Sequence, residues 1–205
     1  MPTMWVGQRY KEMLPVFESH PLIGEVILID NDTSKTDKDV FAYSKLVYVP
    51  QKENIYVNPA WNLGANIAKY DILCFANDDI EVDLGFLDKV LEYITPEFGM
   101  LGLGSGSIVH TQKPLEVGGS TITPIDTLIP YYATFFFIHS KSYCTIPEEM
   151  KIYYGDTYLF EKNKKFNRKN HQLVDGRAIT YLGTSSRLFK KILDDDYYIY
   201  RDIII

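Results

Sequence analysis

Cysteine is nearly absent from this chain: Cys74 and Cys144 are the two among 205 residues. A disulfide framework and a cysteine-built metal cluster are thereby excluded, and a reducing compartment is expected. Long apolar runs are lacking too. Val26-Ile27-Leu28-Ile29 is typical of the longest, whereas a spanning helix needs about 20 such residues, so no membrane span is expected. No secretory leader pattern opens the sequence, which points to a cytoplasmic protein. Basic charge is in deficit, with 21 Lys and Arg against 27 Asp and Glu and a net charge of -6. A duplex-DNA binder carries the opposite balance, so no nucleic-acid partner is expected. Internal repeats, low-complexity tracts and Gly/Ser linkers are also missing. What is there is ordinary globular composition, 46% hydrophobic and 23% charged. The length suits a single domain spanning residues 1–205, whole or cut from a longer chain, with a core that needs no staples.

Short apolar runs alternate with helical periodicity, the pattern of an α/β fold. Tyr10, Met13, Leu14 and Phe17 have helical spacing despite Pro15. Val26 to Asp30 reads as a strand buried on both faces, as in a parallel sheet. Leu46 to Val49 is a second strand, stopped by Pro50, and Ile72 to Ala76 a third, with Cys74 as a core residue. Trp61 to Lys69 reads as a helix, and Leu84, Leu87, Val90, Leu91 and Ile94 mark another that ends before Pro96. Met100 to Leu103, Ala133 to Ile138 and Ala178 to Tyr181 are further strands. Glu148 to Lys162 is partly helical, Ser186 to Leu193 is a short helix, and Gly104 to Pro130 is a long loop or small hairpins. The apolar tail from Tyr197 to Ile205 must pack on the domain or belong to a longer chain, since a solvated end of that composition aggregates.

Two of these strands end in carboxylates. Asp30 closes one, and Asn77-Asp78-Asp79 follows another. Ligands of open parallel sheets bind beyond the carboxyl ends of the strands, so these acids face one crevice. Adjacent carboxylates are hard oxygen ligands suited to Mg²⁺ or Mn²⁺. The competing reading is a polar turn, since Asn and Asp favour turns for local bonding reasons.

Pro2-Thr3, Ile27-Leu28-Ile29-Asp30-Asn31, Trp61-Asn62-Leu63-Gly64 and Phe75-Ala76-Asn77-Asp78-Asp79 follow one another in order. Farther on come Phe135 to Ile138, Ile146-Pro147 and Tyr153-Tyr154-Gly155-Asp156. This series resembles the inverting GT-A glycosyltransferases of family 2, with a D-x-D-type motif at Asp78-Asp79. The resemblance implies a GT-A (Rossmann-like) α/β fold whose mostly parallel central sheet is flanked by helices. It implies an enzyme that moves a sugar from a UDP-sugar donor to a hydroxyl of a glycan or glycoprotein acceptor, with Mn²⁺ or Mg²⁺. By the same resemblance, Asp30 bonds the uracil, with Pro2 and Thr3 beside the base. Asp78 lies near the ribose or sugar and Asp79 ligates the metal, while Trp61 and Asn62 belong to the nucleotide-sugar site. Asp156 is the general base. Apart from the resemblance, Arg187 after Thr184-Ser185-Ser186 reads either as neutralising diphosphate at a helix start or as an ordinary surface residue. The compact size is also similar to single glycosyltransferase domains of large-virus multidomain proteins, such as those of chlorella viruses. That implies a hexose or deoxyhexose donor, the host cytoplasm as location, and further domains of the same polypeptide as partners.

The sequence departs from the family pattern at Asn77, where many relatives have Asp, and at Tyr181, where many carry a metal-binding His. Water can stand in, because Mg²⁺ keeps several waters. The basic group Lys162, Lys164, Lys165, Arg168 and Lys169 reads as a solvated face, and Asp194-Asp195-Asp196 as a charged boundary after a helix. His20, His110, His139 and His171 show no metal-ligand spacing. Two alternatives compete. A nucleotidyltransferase needs a basic, Gly-rich loop near the first strand, of which Gly7-Gln8-Arg9 is a poor version. A nucleotide-sugar-binding module without turnover is the other.

Overall fold

The computed structural model describes residues 1–109, 113–180 and 189–204. The strands are β1 (Pro2–Thr3), β2 (Val26–Asp30), β3 (Leu46–Pro50), β4 (Ile72–Ala76), β5 (Ile80–Val82), β6 (Phe98–Leu103), β7 (Ile122–Ile125), β8 (Phe135–His139), β9 (Lys169–Leu173) and β10 (Ala178–Thr180). The helices are α1 (Tyr10–Ser19), α2 (Val57–Ile67), α3 (Leu87–Tyr93), α4 (Gly155–Lys165) and α5 (Lys190–Ile204). Among these, no helix is long and apolar enough to cross a membrane.

β1, β2 and β3 form a parallel sheet in that order. The second sheet runs β4-β8-β6-β9-β7 and is mixed: β6 and β9 are parallel, while β8 runs antiparallel to both its neighbours. β5 and β10 make an antiparallel pair. The molecule is thus α/β, with its parallel character concentrated in the first half.

β8 separates two apolar layers by simple alternation of side chains. Phe135 and Phe137 join Tyr10, Leu14, Phe17 and Phe86 on the face covered by α1 and α3. Phe136 and Ile138 join Trp61, Phe75, Met100 and Phe160 on the face covered by α2 and α4. The helical spacing seen in the sequence is the buried stripe of α1, where Tyr10, Met13, Leu14 and Phe17 all point inward and Pro15 stays exposed.

Several expectations need correction. α2 begins at Val57, four residues before Trp61, because Pro59 sits in its first turn, where a missing N–H costs nothing. The stretch after Gly104 contains β7, which pairs with β9; β9 itself is Lys-Asn-His-Gln-Leu and carries no apolar pattern. Its Asn170 makes up for that, accepting from Met100 N at 2.9 Å and donating to Phe160 O at 3.0 Å. The apolar tail is the helix α5, which lays Ile199, Tyr200 and Ile204 against the second core. Cys74 is not a core residue: it keeps solvent contact and lines a cavity.

Candidate active site

The site begins where β1 meets β2. Their register places Thr3 opposite Asp30, at the carboxyl ends of both strands. Thr3 Oγ1 donates to Asp78 Oδ2 at 2.6 Å and accepts from Trp5 N at 3.0 Å. Trp5 has φ 59°, a left-handed conformation that a bulky residue rarely adopts. That bend carries its indole back so that Nε1 donates to Asp30 Oδ1 at 2.8 Å.

Asp30 is fully buried. Its Oδ1 also accepts from Asp32 N at 2.8 Å, and its Oδ2 accepts from Thr36 Oγ1 at 2.5 Å and Tyr48 OH at 2.8 Å. Those donors fill the capacity of one carboxylate. Asp30 therefore ties β1, β2, β3 and the loop after β2 together, and the expected direct bond to a base is not the role this arrangement gives it. Pro2 is buried against Ile29 in the same ladder.

Asp78 and Asp79 follow β4. Asn77 N donates to Thr134 O at 3.1 Å, which pins the turn to the entry of β8. Burial raises the Asp78 carboxyl above its usual range, and the Thr3 hydroxyl opposes that shift. Asp79 is pushed up to about 6, first by burial and then by the neighbouring Asp78 charge. Two neighbouring acids drawn partly out of water repel each other when ionised, and a bound divalent ion would relieve that repulsion.

Asp156 occupies the first turn of α4. Thr157 donates to its Oδ1 through N at 2.8 Å and through Oγ1 at 3.3 Å. Burial raises this carboxyl as well, and its field reaches Tyr132, just before β8. The entry of β8 thus touches both sides: Thr134 holds the turn before Asp78-Asp79, and Tyr132 packs edge-on at 5.9 Å on Phe160 of α4. The backbone ahead of Asp156 is held from two directions. Asn58 of α2 is buried and donates Nδ2 to Tyr153 O at 3.1 Å. Gly155 must be glycine here, since a Cβ would lie 2.1 Å from Asn58 Oδ1. From the other side, the buried Asp196 of α5 accepts from the N–H groups of Lys151, Ile152 and Tyr153, each at 2.8 Å.

Strained aromatics recur around this crevice. Besides Trp5, Tyr56 before α2, Tyr131 before β8 and Tyr154 before α4 all have positive φ. Such outliers persist where surroundings over-determine them, and they cluster at functional sites. Tyr154 stacks on Tyr200 at 5.3 Å, and Tyr56 meets Phe189 edge-on at 5.6 Å.

Other expected residues fall elsewhere. Trp61 is a core residue, edge-on to Phe75 and Phe136. Asn62 brackets the segment after β8: its Oδ1 accepts from Tyr143 OH at 2.8 Å and Ile146 N at 2.9 Å, and its Nδ2 donates to Ile146 O at 2.8 Å. Both side chains hold α2 against the second core. Arg187 and Tyr181 lie outside the described residues. His171 stacks on Phe98 at 4.1 Å within β9, and burial lowers its pKa. The basic group at the end of α4 rests on carbonyls and rings, such as Lys164 on Asp126 O and Arg168 over Phe166. Asn58, Asp196 and Trp5 were not singled out for these roles by the sequence, because each acts on backbone or buried groups far away along the chain.

A family model described as Glycosyl transferase family 2 matches residues 16–104, which carry β2, β4 and the Asp78-Asp79 turn. S. aureus TarS is similar over 99% of this chain and 38% of its own, at 18% identity and TM-score 0.69. The chain has the GT-A glycosyltransferase fold. A second TarS structure, of residues 1–349, is similar at 16% identity and TM-score 0.60, over 94% of this chain and 61% of that one. GalNAc-T7, crystallised with UDP, GalNAc and Mn²⁺, is similar at 12% identity and TM-score 0.57, over 77% of this chain and 37% of its own. The chain therefore spans less than two thirds of each of these neighbours. None of the curated proteins matches it in sequence. The likeness to large-virus domains gains no support from these neighbours.

Among the described residues, no group of three His, Cys, Asp or Glu side chains could hold a metal ion. The chemistry of Asp79 still fits one: a half-exposed hard oxygen donor, beside a second acid, at the strand ends. Ions of the Mg²⁺ class commonly take one or two carboxylates and complete their shell with water and phosphate oxygens.

Proposed function

We propose that this chain is an inverting glycosyltransferase that moves a hexose or deoxyhexose from a UDP-sugar to a hydroxyl of a glycan or glycoprotein acceptor. The observation that carries the reading is that Asp78-Asp79, just beyond β4, and Asp156, in the first turn of α4, are acids each raised by burial. One group suits a nucleotide diphosphate and its cation; the other suits a proton acceptor.

Asp156 takes the proton from the acceptor hydroxyl while that oxygen attacks the anomeric carbon from the face opposite the nucleotide. The carbon–oxygen bond to the diphosphate breaks, UDP leaves with the electron pair, and the configuration inverts. A carboxylate whose pKa is raised toward working pH is the better base, and positioned proton transfer is worth about 10²–10⁴-fold. Asp79 would hold Mn²⁺ or Mg²⁺, and the ion would neutralise charge on the departing diphosphate. Asp78, braced by Thr3, orients the ribose or sugar. Asn58 and Asp196 hold the backbone that presents Asp156.

Asp156→Asn tests the base. Transfer should fall by about 10² or more while UDP binding stays within a factor of a few. Retained turnover removes Asp156 from the role. UDP-sugar binding without turnover across many acceptors would instead favour the binding-module reading, and pyrophosphate release from UTP plus a sugar phosphate the nucleotidyltransferase.

A further inference from the structure

Charge is unevenly spread along this chain, and the end of α4 is where it turns positive. Residues 162–169 read Lys-Asn-Lys-Lys-Phe-Asn-Arg-Lys, five cations and no acid, in a chain of net charge -6. The turn that presents them is tightly bonded. Asn167 has φ 57° and donates its N–H to Lys164 O at 2.9 Å, while Arg168 N donates to Asn163 O at 2.9 Å. That pair of bonds is a Schellman stop, with Asn taking the left-handed position. Asn163 is fully buried and donates Nδ2 to Leu159 O at 2.9 Å, which anchors the turn in the core.

The helix dipole accounts for Lys162, Lys164 and Lys165, since cations are favoured in a last turn. It does not account for Phe166. That ring is 60% exposed among the cations, with the Arg168 guanidinium 5.3 Å from its centroid. Lys165 Nζ donates to Ile204 O at 2.7 Å, which brings the end of α5 and its exposed Ile203 to the same face. Pro96 O accepts from Arg168 Nε at 3.1 Å and from Ser142 Oγ at 2.9 Å, so the exposed Lys141 borders it too. The acids beside these groups are Glu161, 3.6 Å from Lys164, the exposed Glu97, and Asp202, which pairs with Arg201.

We propose that this face docks on an anionic lipid bilayer, with the cations at the headgroup phosphates and Phe166 and Ile203 at the acyl boundary. Clustered Lys and Arg are drawn to anionic headgroups, and apolar side chains set among them enter the interface. The negative charge of the molecule as a whole opposes contact elsewhere, so the patch also sets the orientation. A single-stranded nucleic acid could use the cations and stack on Phe166, but it has no use for Ile203. The patch lies away from the candidate active site. Lys165 stands about 14 Å beyond Asp156 along α4, at 1.5 Å per residue. The proposal therefore stands apart from the glycosyltransferase reading.

The test sediments the full chain with vesicles of phosphatidylcholine alone, or with an equal share of phosphatidylglycerol. Partition into the anionic vesicles should be about tenfold higher or more, and should fall steeply between about 0.1 M and about 0.5 M salt. Lys165→Gln with Lys169→Gln should lower it about tenfold. Lys38→Gln with Lys89→Gln removes the same charge from exposed positions elsewhere and should change it by less than about threefold. Phe166→Trp reports insertion, because Trp5 and Trp61 are buried. Its emission should shift to the blue with anionic vesicles and be quenched by brominated acyl chains. Melting curves confirm that each variant is folded. Equal partition into both vesicle types, equal losses from the two Lys pairs, or an indole at position 166 that neither shifts nor is quenched overturns the proposal. So does tighter binding to a thymidine oligonucleotide than to the anionic vesicles.

Discussion

At the residue scale, the carboxylates divide by the company they keep. Asp30 is surrounded by donors; Asp79 is raised by burial and by a neighbouring acid. Replacing Asp30 with Ala would strand the buried Trp5 indole, at about 1–3 kcal/mol for a buried group left unpaired. Chemical denaturation should show that loss directly. Asp79 makes an opposite prediction with pH. Its carboxyl is raised from 3.8 to about 6 in the folded state, so the native protein holds a proton that the unfolded chain has released. The contribution is present below pH 3.8 and is lost as pH rises through about 6. Melting temperature without metal should therefore fall across that window more steeply in the wild type than in Asp79→Asn, and Mn²⁺ should restore more of it at pH 7.5 than at pH 5. A wild type and Asp79→Asn with equal slopes would show that the acid is not perturbed. Asp78 and Asp79 stand out in the sequence because they follow an apolar strand, and Asp156 through the family resemblance alone. The sequence does not show that Asp30 is enclosed, since Trp5, Thr36 and Tyr48 reach it from three separate segments.

At the element scale, α5 is a latch. Its Asp196 receives three backbone N–H groups from the segment before α4, and Tyr200 stacks on Tyr154. Hydrogen bonds to a charged acceptor are each worth about 1.5–3 kcal/mol net, so Asp196→Ala should cost several of them at once. For a domain of this size about 1 kcal/mol moves the melting temperature by roughly 2–4 °C, so a drop near 10 °C is expected. An unchanged melting curve would mean that the latch carries nothing. From sequence, Asp194-Asp195-Asp196 was a charged boundary, because nothing in three adjacent acids says which one turns inward. In sequence the tail shows only an apolar end that must pack on the domain or belong to a longer chain. β9 was illegible for a related reason: its buried side is satisfied by Asn170 hydrogen bonds rather than by apolar contacts.

At the scale of the whole molecule, the strands and helices of the first half were legible because buried parallel strands are continuous apolar runs. The mixed second sheet was less so, since β8 enters antiparallel between β4 and β6 from far along the chain. That insertion is what gives the site its shape. Thr134, at the entry of β8, holds the Asp78-Asp79 turn, and Tyr132 beside it packs edge-on against Phe160 of α4. The GT-A fold is therefore carried by the whole chain, although the family match ends at residue 104 and the proposed base, Asp156, lies beyond it. The central claim is that Asp79, through a divalent ion, holds a nucleotide diphosphate in this crevice. Thermal shift with UDP, in Mn²⁺ and in chelator, on the wild type and Asp79→Ala, tests it most directly. UDP at 100-fold over its dissociation constant stabilises by about 2.7 kcal/mol, a rise of roughly 5–10 °C. The account predicts that rise for the wild type in Mn²⁺, and its loss both in chelator and in Asp79→Ala. An equal rise in all three, or none with the wild type in Mn²⁺, would contradict it.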